Sequence, residues 1–418
     1  MKKLFFILTI LCSVLVNGQE KKDPPKFGIS FSGFVKTDVF YDSRQTVNMR
    51  EGHFQLYPDA INLDLLGNDL NKKSSFNMLS IQTRLRGTIS GSDAFGAKTS
   101  GVIEADFFGN ASYGFDDVNG FRLRHAFAKL NWSKIELLVG QYWHPMFIAE
   151  SYPDVISFNT GSPFQPFSRN PQIRLTYTSG ITSLIATAYT QRDFQGIGPD
   201  GASSKYLRNA GLPATHLQFQ VKPAAGHLFG AGIDYKVIKP ELFTVVNTNQ
   251  KYISDEKLAS LSAIGFMKLK FKPLIIKAEG IYAQNAHDMC MLGGYAVKEI
   301  TNSAYGTRSF TNLNTFAFWT DLSTTGDKIK AGLFLGYTKN LGANDVINGA
   351  IYARGSNIDK VERIAPRVVF LSGKMTFAIE QEFTRAHYGT ANGDKKGEVT
   401  ATNSVVNSRT LLSCIYSF

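Results

Sequence analysis

Beyond residue 18 this sequence has no apolar run of about 18 residues, so it encodes no helix able to cross a bilayer. Cysteine is scarce, with only Cys12, Cys290 and Cys414. A secreted soluble protein of this size often carries several paired cysteines. Here Cys414 falls in a strand pattern and Cys290 in a loop, so no bridge between them is expected. Catalytic signatures are missing as well. There is no Gly-x-Ser-x-Gly elbow and no phosphate-cradling P-loop. The histidines, among them His125, His144, His216, His227 and His387, form no metal-spaced pair. The acids Asp116, Asp117, Asp345, Asp359 and Glu362 follow no divalent-ion ligand pattern and read as solvated loop residues. Neither enzyme activity nor a cofactor is expected. The basic charge is spread along the chain rather than clustered, which argues against nucleic acid as a partner. Proline is modest at 14, whereas glycine reaches 37 and aromatics 12%, a mix that suits many strands and turns.

The first 18 residues read as a secretory leader. Lys2 and Lys3 precede a short apolar core from Leu4 to Val16, and cleavage after Gly18 would leave Gln19 first. Ile10 and Leu11 are too bulky for lipoprotein processing at Cys12. Losing the leader removes Lys2 and Lys3 and no acid, so the formal charge of +11 falls to +9.

The remaining pattern has period two. In residues 29–40, Ile29, Phe31, Val35 and Val39 share one face while Ser30, Ser32, Lys36 and Asp38 share the other, as in a strand. Leu79, Ile81, Thr83, Leu85 and Ile89 alternate with Ser80, Gln82, Arg84, Arg86 and Thr88. The last segment sets Leu412, Cys414, Tyr416 and Phe418 against Ser413 and Ser417. Sixteen strands are expected, near 29–41, 76–90, 97–109, 121–132, 134–141, 171–179, 182–191, 214–222, 227–238, 259–272, 273–284, 314–322, 328–338, 362–372, 373–386 and 405–418. Their connections alternate between short and long. The long ones lie around 42–75, 110–120, 142–170, 192–213, 239–258, 285–313, 339–361 and 387–404.

That parity fits a membrane barrel with turns on one rim and loops on the other. The expected fold class is therefore all-β: a transmembrane antiparallel β-barrel of about 16 strands, with a short segment over residues 19–28 and the barrel over 29–418. In lipid every backbone polar group must pair internally, and a closed barrel achieves this without edges. A barrel of this size should leave an aqueous channel. A plugged transporter of about 22 strands would need a longer chain.

Selectivity in such a channel depends on charge at its narrowest ring. The polar faces supply Lys36, Arg84, Arg86, Arg122, Arg124 and Arg174, with Arg44 and Arg169 just beyond strands. Arg84/Arg86 and Arg122/Arg124 are i,i+2 pairs, so each pair shares a face. Guanidinium forks grip carboxylates bidentately. They could select anionic solutes, or stiffen the wall against Asp38, Glu104 and Asp106, or do both. The connection 142–170 carries Tyr142, Trp143, Asp154, Phe164 and Arg169 and several prolines. It reads as an ordered loop, folded inward to set the pore or capping the rim.

Four stretches in this order resemble the DcaP-like outer-membrane porins. They are Gly33-Phe34-Val35-Lys36-Thr37-Asp38, Arg122-Leu123-Arg124-His125-Ala126-Phe127, Leu138-Val139-Gly140-Gln141-Tyr142-Trp143 and Arg169-Asn170-Pro171-Gln172-Ile173-Arg174. The resemblance covers roughly residues 29–190. It implies a homotrimeric, 16-stranded porin of Gram-negative bacteria, with an inward third loop and a basic eyelet that favours organic anions such as dicarboxylates. It also implies that the terminal strand, ending on Phe418, is read by the barrel-assembly machinery. Outer-membrane lipid and lipopolysaccharide would surround the wall. The long helical extension of some members is not expected, because about ten residues, Gln19–Gly28, precede the first strand. Two other readings compete. A barrel-embedded hydrolase would need an exposed Ser-His pair near the rim, and an adhesive or structural barrel would have a blocked lumen.

Overall fold

The computed structural model describes residues 27–109, 120–247 and 249–418. The leader and the pair Asp116 and Asp117 lie outside the described residues. Sixteen wall strands form one closed, antiparallel, up-and-down sheet. They are β1 (Gly28–Asp42), β2 (Ser75–Leu79 and Arg84–Ser90), β3 (Lys98–Gly109), β4 (Gly120–Asn131), β5 (Ile135–Trp143), β6 (Arg169–Ser179), β7 (Thr182–Tyr189), β8 (Ala214–Val221), β9 (Leu228–Ile238), β10 (Leu258–Lys270), β11 (Leu274–Gln284), β12 (Thr307–Thr324), β13 (Ile329–Ala343), β14 (Ile358–Ser372), β15 (Met375–Asn392) and β16 (Glu398–Ser417).

Each strand pairs with its neighbour in sequence, and β1 closes the ring on β16, from Phe34 opposite Ser417 to Asp42 opposite Arg409. At the seam Gly33 and Phe418 exchange both backbone hydrogen bonds, at 3.2 and 3.1 Å. A Cβ at Gly33 would stand 2.1 Å from the Arg84 carbonyl oxygen, so only glycine allows this approach.

The alternation sorts side chains by face. Phe31, Phe76, Leu175, Phe219, Phe316 and Phe377 are exposed on the outside, while Asp38, Asp106, Arg124, Asp321 and Arg409 are buried inside. This reverses a soluble core and matches a wall in lipid. β2 departs from simple alternation. Between Asp38 opposite Leu79 and Phe34 opposite Arg84, β2 contains one residue more than β1. A bulge of this kind flips the faces beyond it. Ile81 is therefore buried in an interior cluster with Leu79 packed against it, although the sequence pattern sets both with the outward Leu85. The Thr83 hydroxyl takes the freed Lys36 N–H at 3.1 Å.

The short connections lie where the sequence puts them, but three long ones are tighter than expected. β12 starts at Thr307, β14 at Ile358, and β15 and β16 run on to Asn392 and from Glu398. The regions near 285–313, 339–361 and 387–404 are therefore partly hairpin rather than loop.

The interior is fuller than an open channel of this strand number would be. Three connections enter it: a hairpin of Thr46–Met49 and Phe54–Pro58, the segment 144–168, and residues 285–292. Phe54, Leu56, Phe158, Phe164, Phe167 and Leu292 from these pack on Trp319, Phe334, Val361 and Ala365 of the wall.

Candidate functional site

Segment 144–168 is fastened to the wall opposite its own origin. The carboxylate of Glu380 on β15 accepts the N–H groups of Ile156 (2.8 Å) and Ser157 (3.0 Å). Glu382 accepts from the Asn159 side chain at 2.8 Å. Arg363 on β14 donates to the Ser162 carbonyl, also at 2.8 Å. Asp154 is engaged on this far side, where it pairs with Lys277 at 2.5 Å and accepts from Ser323 at 3.3 Å. On the near side Lys36 donates to the Ile156 carbonyl at 2.8 Å.

Between this segment and β1–β5 lie two adjoining cavities. The larger, about 450 Å³, is lined by Arg84, Arg86, Glu104, Arg124, His125, Lys129, Tyr142, Trp143 and Tyr152. The smaller, about 260 Å³, shares Arg84, Arg124, Trp143 and Tyr152 and adds Lys36, Gln82 and Phe158. Toward the long-loop rim, His53, Phe108 and Phe158 pack as tilted rings, with Phe54 edge-on to Phe158 and ring centres 4.2 Å apart for Phe108 and Phe158.

Strand geometry assembles the charge. Arg84 and Arg86 on β2, Glu104 and Asp106 on β3, and Arg122 and Arg124 on β4 are inward residues of three adjacent strands. Arg84 lies opposite Asp106, Arg86 opposite Glu104, and Asp106 opposite Arg122. Three guanidinium groups converge on Glu104: Arg124 at 2.8 Å, Arg86 at 3.4 Å and Arg84 at 3.7 Å. Asp106 takes Arg122 at 2.7 Å and Arg124 at 2.9 Å. Lys36 pairs with Asp38 at 3.2 Å, and Arg169 and Arg50 pair with Asp193 at 2.6 and 3.8 Å. Burial works against ionisation of the Asp193 carboxyl, but Arg169, Arg122 and Arg50 outweigh it and hold its pKa below the usual carboxylate range.

Here seven cations meet four carboxylates, an excess of three positive charges. A guanidinium has five N–H donors, and Arg84 Nε, Arg122 Nη1 and Arg169 Nη1 make no hydrogen bond within the described residues. Arg86 is the accessible member, with its side chain 42% exposed. Aromatic faces complete the lining. Trp143 stacks on Phe147 with ring centres 3.9 Å apart, and lies under the guanidinium groups of Arg169 (5.0 Å) and Arg124 (5.6 Å).

The structure thus brings Lys36, Arg84, Arg86 and Arg124 to the cavities and sets Arg122 and Arg169 directly behind them. Arg174 is not in the lining, since it bonds Gln172 and the Trp143 carbonyl and stacks on Tyr142. Asp154 is not there either. Asp345, Asp359 and Glu362 each pair with a lysine, Lys298, Lys339 and Lys360 respectively. Tyr152, Lys129, Arg50 and Asp193 belong to the site but have no sequence pattern of their own. Glu380 and Glu382 are an i,i+2 acidic pair on an inward face, a signal as visible as the arginine pairs.

Asp106 is fully buried between Arg122 and Arg124. Replacing it with alanine leaves Arg122 in the wall without its carboxylate partner and Arg124 with Glu104 alone. Such a loss costs about 3–5 kcal/mol. Asp106→Ala should accordingly lower the urea midpoint for unfolding of the purified barrel, read by loss of β circular dichroism.

The fold is that of 16-stranded porins of Gram-negative outer membranes. The chain is similar to an anion-selective porin from Comamonas acidovorans at 12% identity, covering 94% of this chain and 100% of that one, with a TM-score of 0.56. It is likewise similar to OmpT of Vibrio cholerae, an outer-membrane protein, at 12% identity, with coverage of 96% and 99% and a TM-score of 0.55. OmpF of Salmonella typhi follows at 11% identity, with coverage of 93% and 97% and a TM-score of 0.51. The Vibrio protein has also been solved in a trimer form. No protein-family model and no curated protein matches the sequence.

Proposed function

We propose that this chain is an outer-membrane porin of the DcaP-like type, through which small organic anions, dicarboxylates among them, diffuse between segment 144–168 and β1–β5. The observation that carries this reading is the excess of cations over carboxylates along those cavities, with guanidinium N–H groups beside them that make no hydrogen bond within the described residues. A carboxylate entering there exchanges water for charge-assisted hydrogen bonds, and aromatic faces shield it from bulk solvent. In the same reading the chain is exported with its leader cut near Gly18, assembles as a homotrimer and sits in outer-membrane lipid and lipopolysaccharide. Liposome swelling tests the solute class. A dicarboxylate of about four carbons should enter several-fold faster than a neutral or cationic solute of equal size, and equal rates would sink the assignment.

The same reading gives Phe418 a role in assembly by the barrel-assembly machinery. Deleting Phe418 removes both backbone hydrogen bonds that it exchanges with Gly33 at the closing seam. The truncated chain should reach the outer membrane at a level reduced several-fold, read by fractionation, while the channels that do form conduct normally.

A second reading is a sealed barrel with a structural or adhesive role. What favours it is the apolar packing of Phe54, Phe158, Phe164 and Phe167 against Trp319 and Phe334 within the lumen. It predicts no conductance in planar bilayers.

A further inference from the structure

A second group of cations lines the lumen away from the arginines, toward the short-turn rim. On β10, Lys268 and Lys270 continue the inward face of Ile264 and Phe266 at i,i+2 spacing. Lys277 of β11 lies directly opposite Lys268. Lys222 follows Val221, the last residue of β8.

Segment 144–168 passes beside this group and supplies two acids to it. Lys222 pairs with Glu150 at 2.8 Å, and Lys268 donates to the Glu150 carbonyl at 3.2 Å. Lys277 donates to the Tyr152 carbonyl at 3.0 Å as well as to Asp154. Asp321, opposite Lys277, is taken by both arms of Arg367 at 2.7 and 2.8 Å. Among the described residues, Lys268 and Lys270 pair with no carboxylate. Five cations therefore meet three carboxylates, an excess of two positive charges. The Lys222 and Glu150 side chains are 45% and 56% exposed. A pair this exposed is weak, so another carboxylate can replace Glu150 on Lys222 at little loss.

One side chain separates this group from the arginines. Tyr152 lines both arginine cavities. Its ring centre is 5.6 Å from the Lys277 ammonium. A solute carboxylate leaving Arg84, Arg86 and Arg124 gives up guanidinium contacts and meets ammonium groups one ring away. Lysine suits that second position. Its ammonium is a strongly hydrated point charge without the bidentate fork of arginine. Passage needs sites that attract an ion but hold it weakly enough for it to leave.

We propose that Lys222, Lys268, Lys270 and Lys277 form a second anion subsite, across Tyr152 from the arginine cavities, that takes a solute carboxylate passing between those cavities and the short-turn rim. Glu150 is its tethered competitor, occupying Lys222 until a solute carboxylate replaces it. The subsite rests on the anion-channel reading above and adds a second station with its own residues.

The test uses the purified full chain in planar bilayers, with succinate added to one side at a time and its block of the chloride current recorded. Lys268→Gln/Lys270→Gln should raise the half-blocking concentration several-fold from one side, the short-turn side, and change it little from the other. Glu150→Gln should lower it from that same side. A purely structural role for these residues would not give opposite signs in the two variants. If the double-lysine variant does not fold, read by loss of its heat-dependent mobility shift, Glu150→Gln alone decides. A wild type blocked by succinate whose variants show no shift, equal shifts from both sides, or shifts of the same sign would overturn the subsite alone. A wild-type channel that prefers potassium would overturn the function proposed above and the subsite with it.

Discussion

Replacing Arg84 and Arg86 together with glutamine should lower the anion-over-cation permeability ratio about tenfold or more. These two are the informative pair because they are the loosest. Their contacts to Glu104 are 3.7 and 3.4 Å, whereas Arg124 holds the same carboxylate at 2.8 Å and also Asp106. The double change cuts the local excess from three positive charges to one and releases Glu104 from two of its three cations. In a wet passage of intermediate dielectric, each charge several ångströms from a solute contributes roughly 1 kcal/mol. Two such charges give about tenfold or more in relative permeability, since 1.4 kcal/mol is tenfold. Glutamine keeps length and polarity, so the pore diameter should change little. The measurement is the zero-current potential in a potassium chloride gradient. If it does not move, these arginines stiffen the wall and the anion preference has another origin.

The second large effect concerns the segment that defines the passage. Glu380→Ala should raise single-channel conductance severalfold and add open-channel noise. Among the described residues, Glu380 is the only side chain that holds the Ile156 and Ser157 N–H groups. Each charge-assisted bond contributes about 1.5–3 kcal/mol, and the two N–H groups would be left unpaired on removal. Lys36 would remain attached through the Ile156 carbonyl, but its own partners Asp38 and Gln82 lie on the near wall. The middle of the segment would therefore lose its bridge across the lumen. Unchanged current steps would mean that apolar packing of Phe158, Phe164 and Phe167, rather than the carboxylate, fixes the segment.

The wall was legible because a membrane strand must alternate. All sixteen strands were visible from period two and from the parity of connection lengths, and the arginine pairs from their i,i+2 spacing. Asp38, Glu104 and Asp106 could also be named as partners, since they occupy the inward faces of neighbouring strands. The misplacement of Leu79 and Ile81 has a local cause: one bulged residue reverses the faces of β2, and nothing in the alternation marks where it falls. The filled interior was not legible for a different reason. Whether Phe54 or Phe164 turns inward depends on contacts with Phe167, Phe334 and Trp319, which lie far away in sequence. Asp154 likewise reads as a loop acid beside the arginines, but the segment carries it across to Lys277. The ends of β12 and β14 to β16 were missed because strands that continue beyond lipid no longer need an apolar outer face.

The account stands most directly on one recording. The purified wild-type protein in a planar bilayer, under a tenfold gradient of potassium chloride, should open channels whose zero-current potential has the sign set by chloride, and added dicarboxylate should reduce the chloride current. A membrane that stays silent, or a potential with the sign set by potassium, would contradict it.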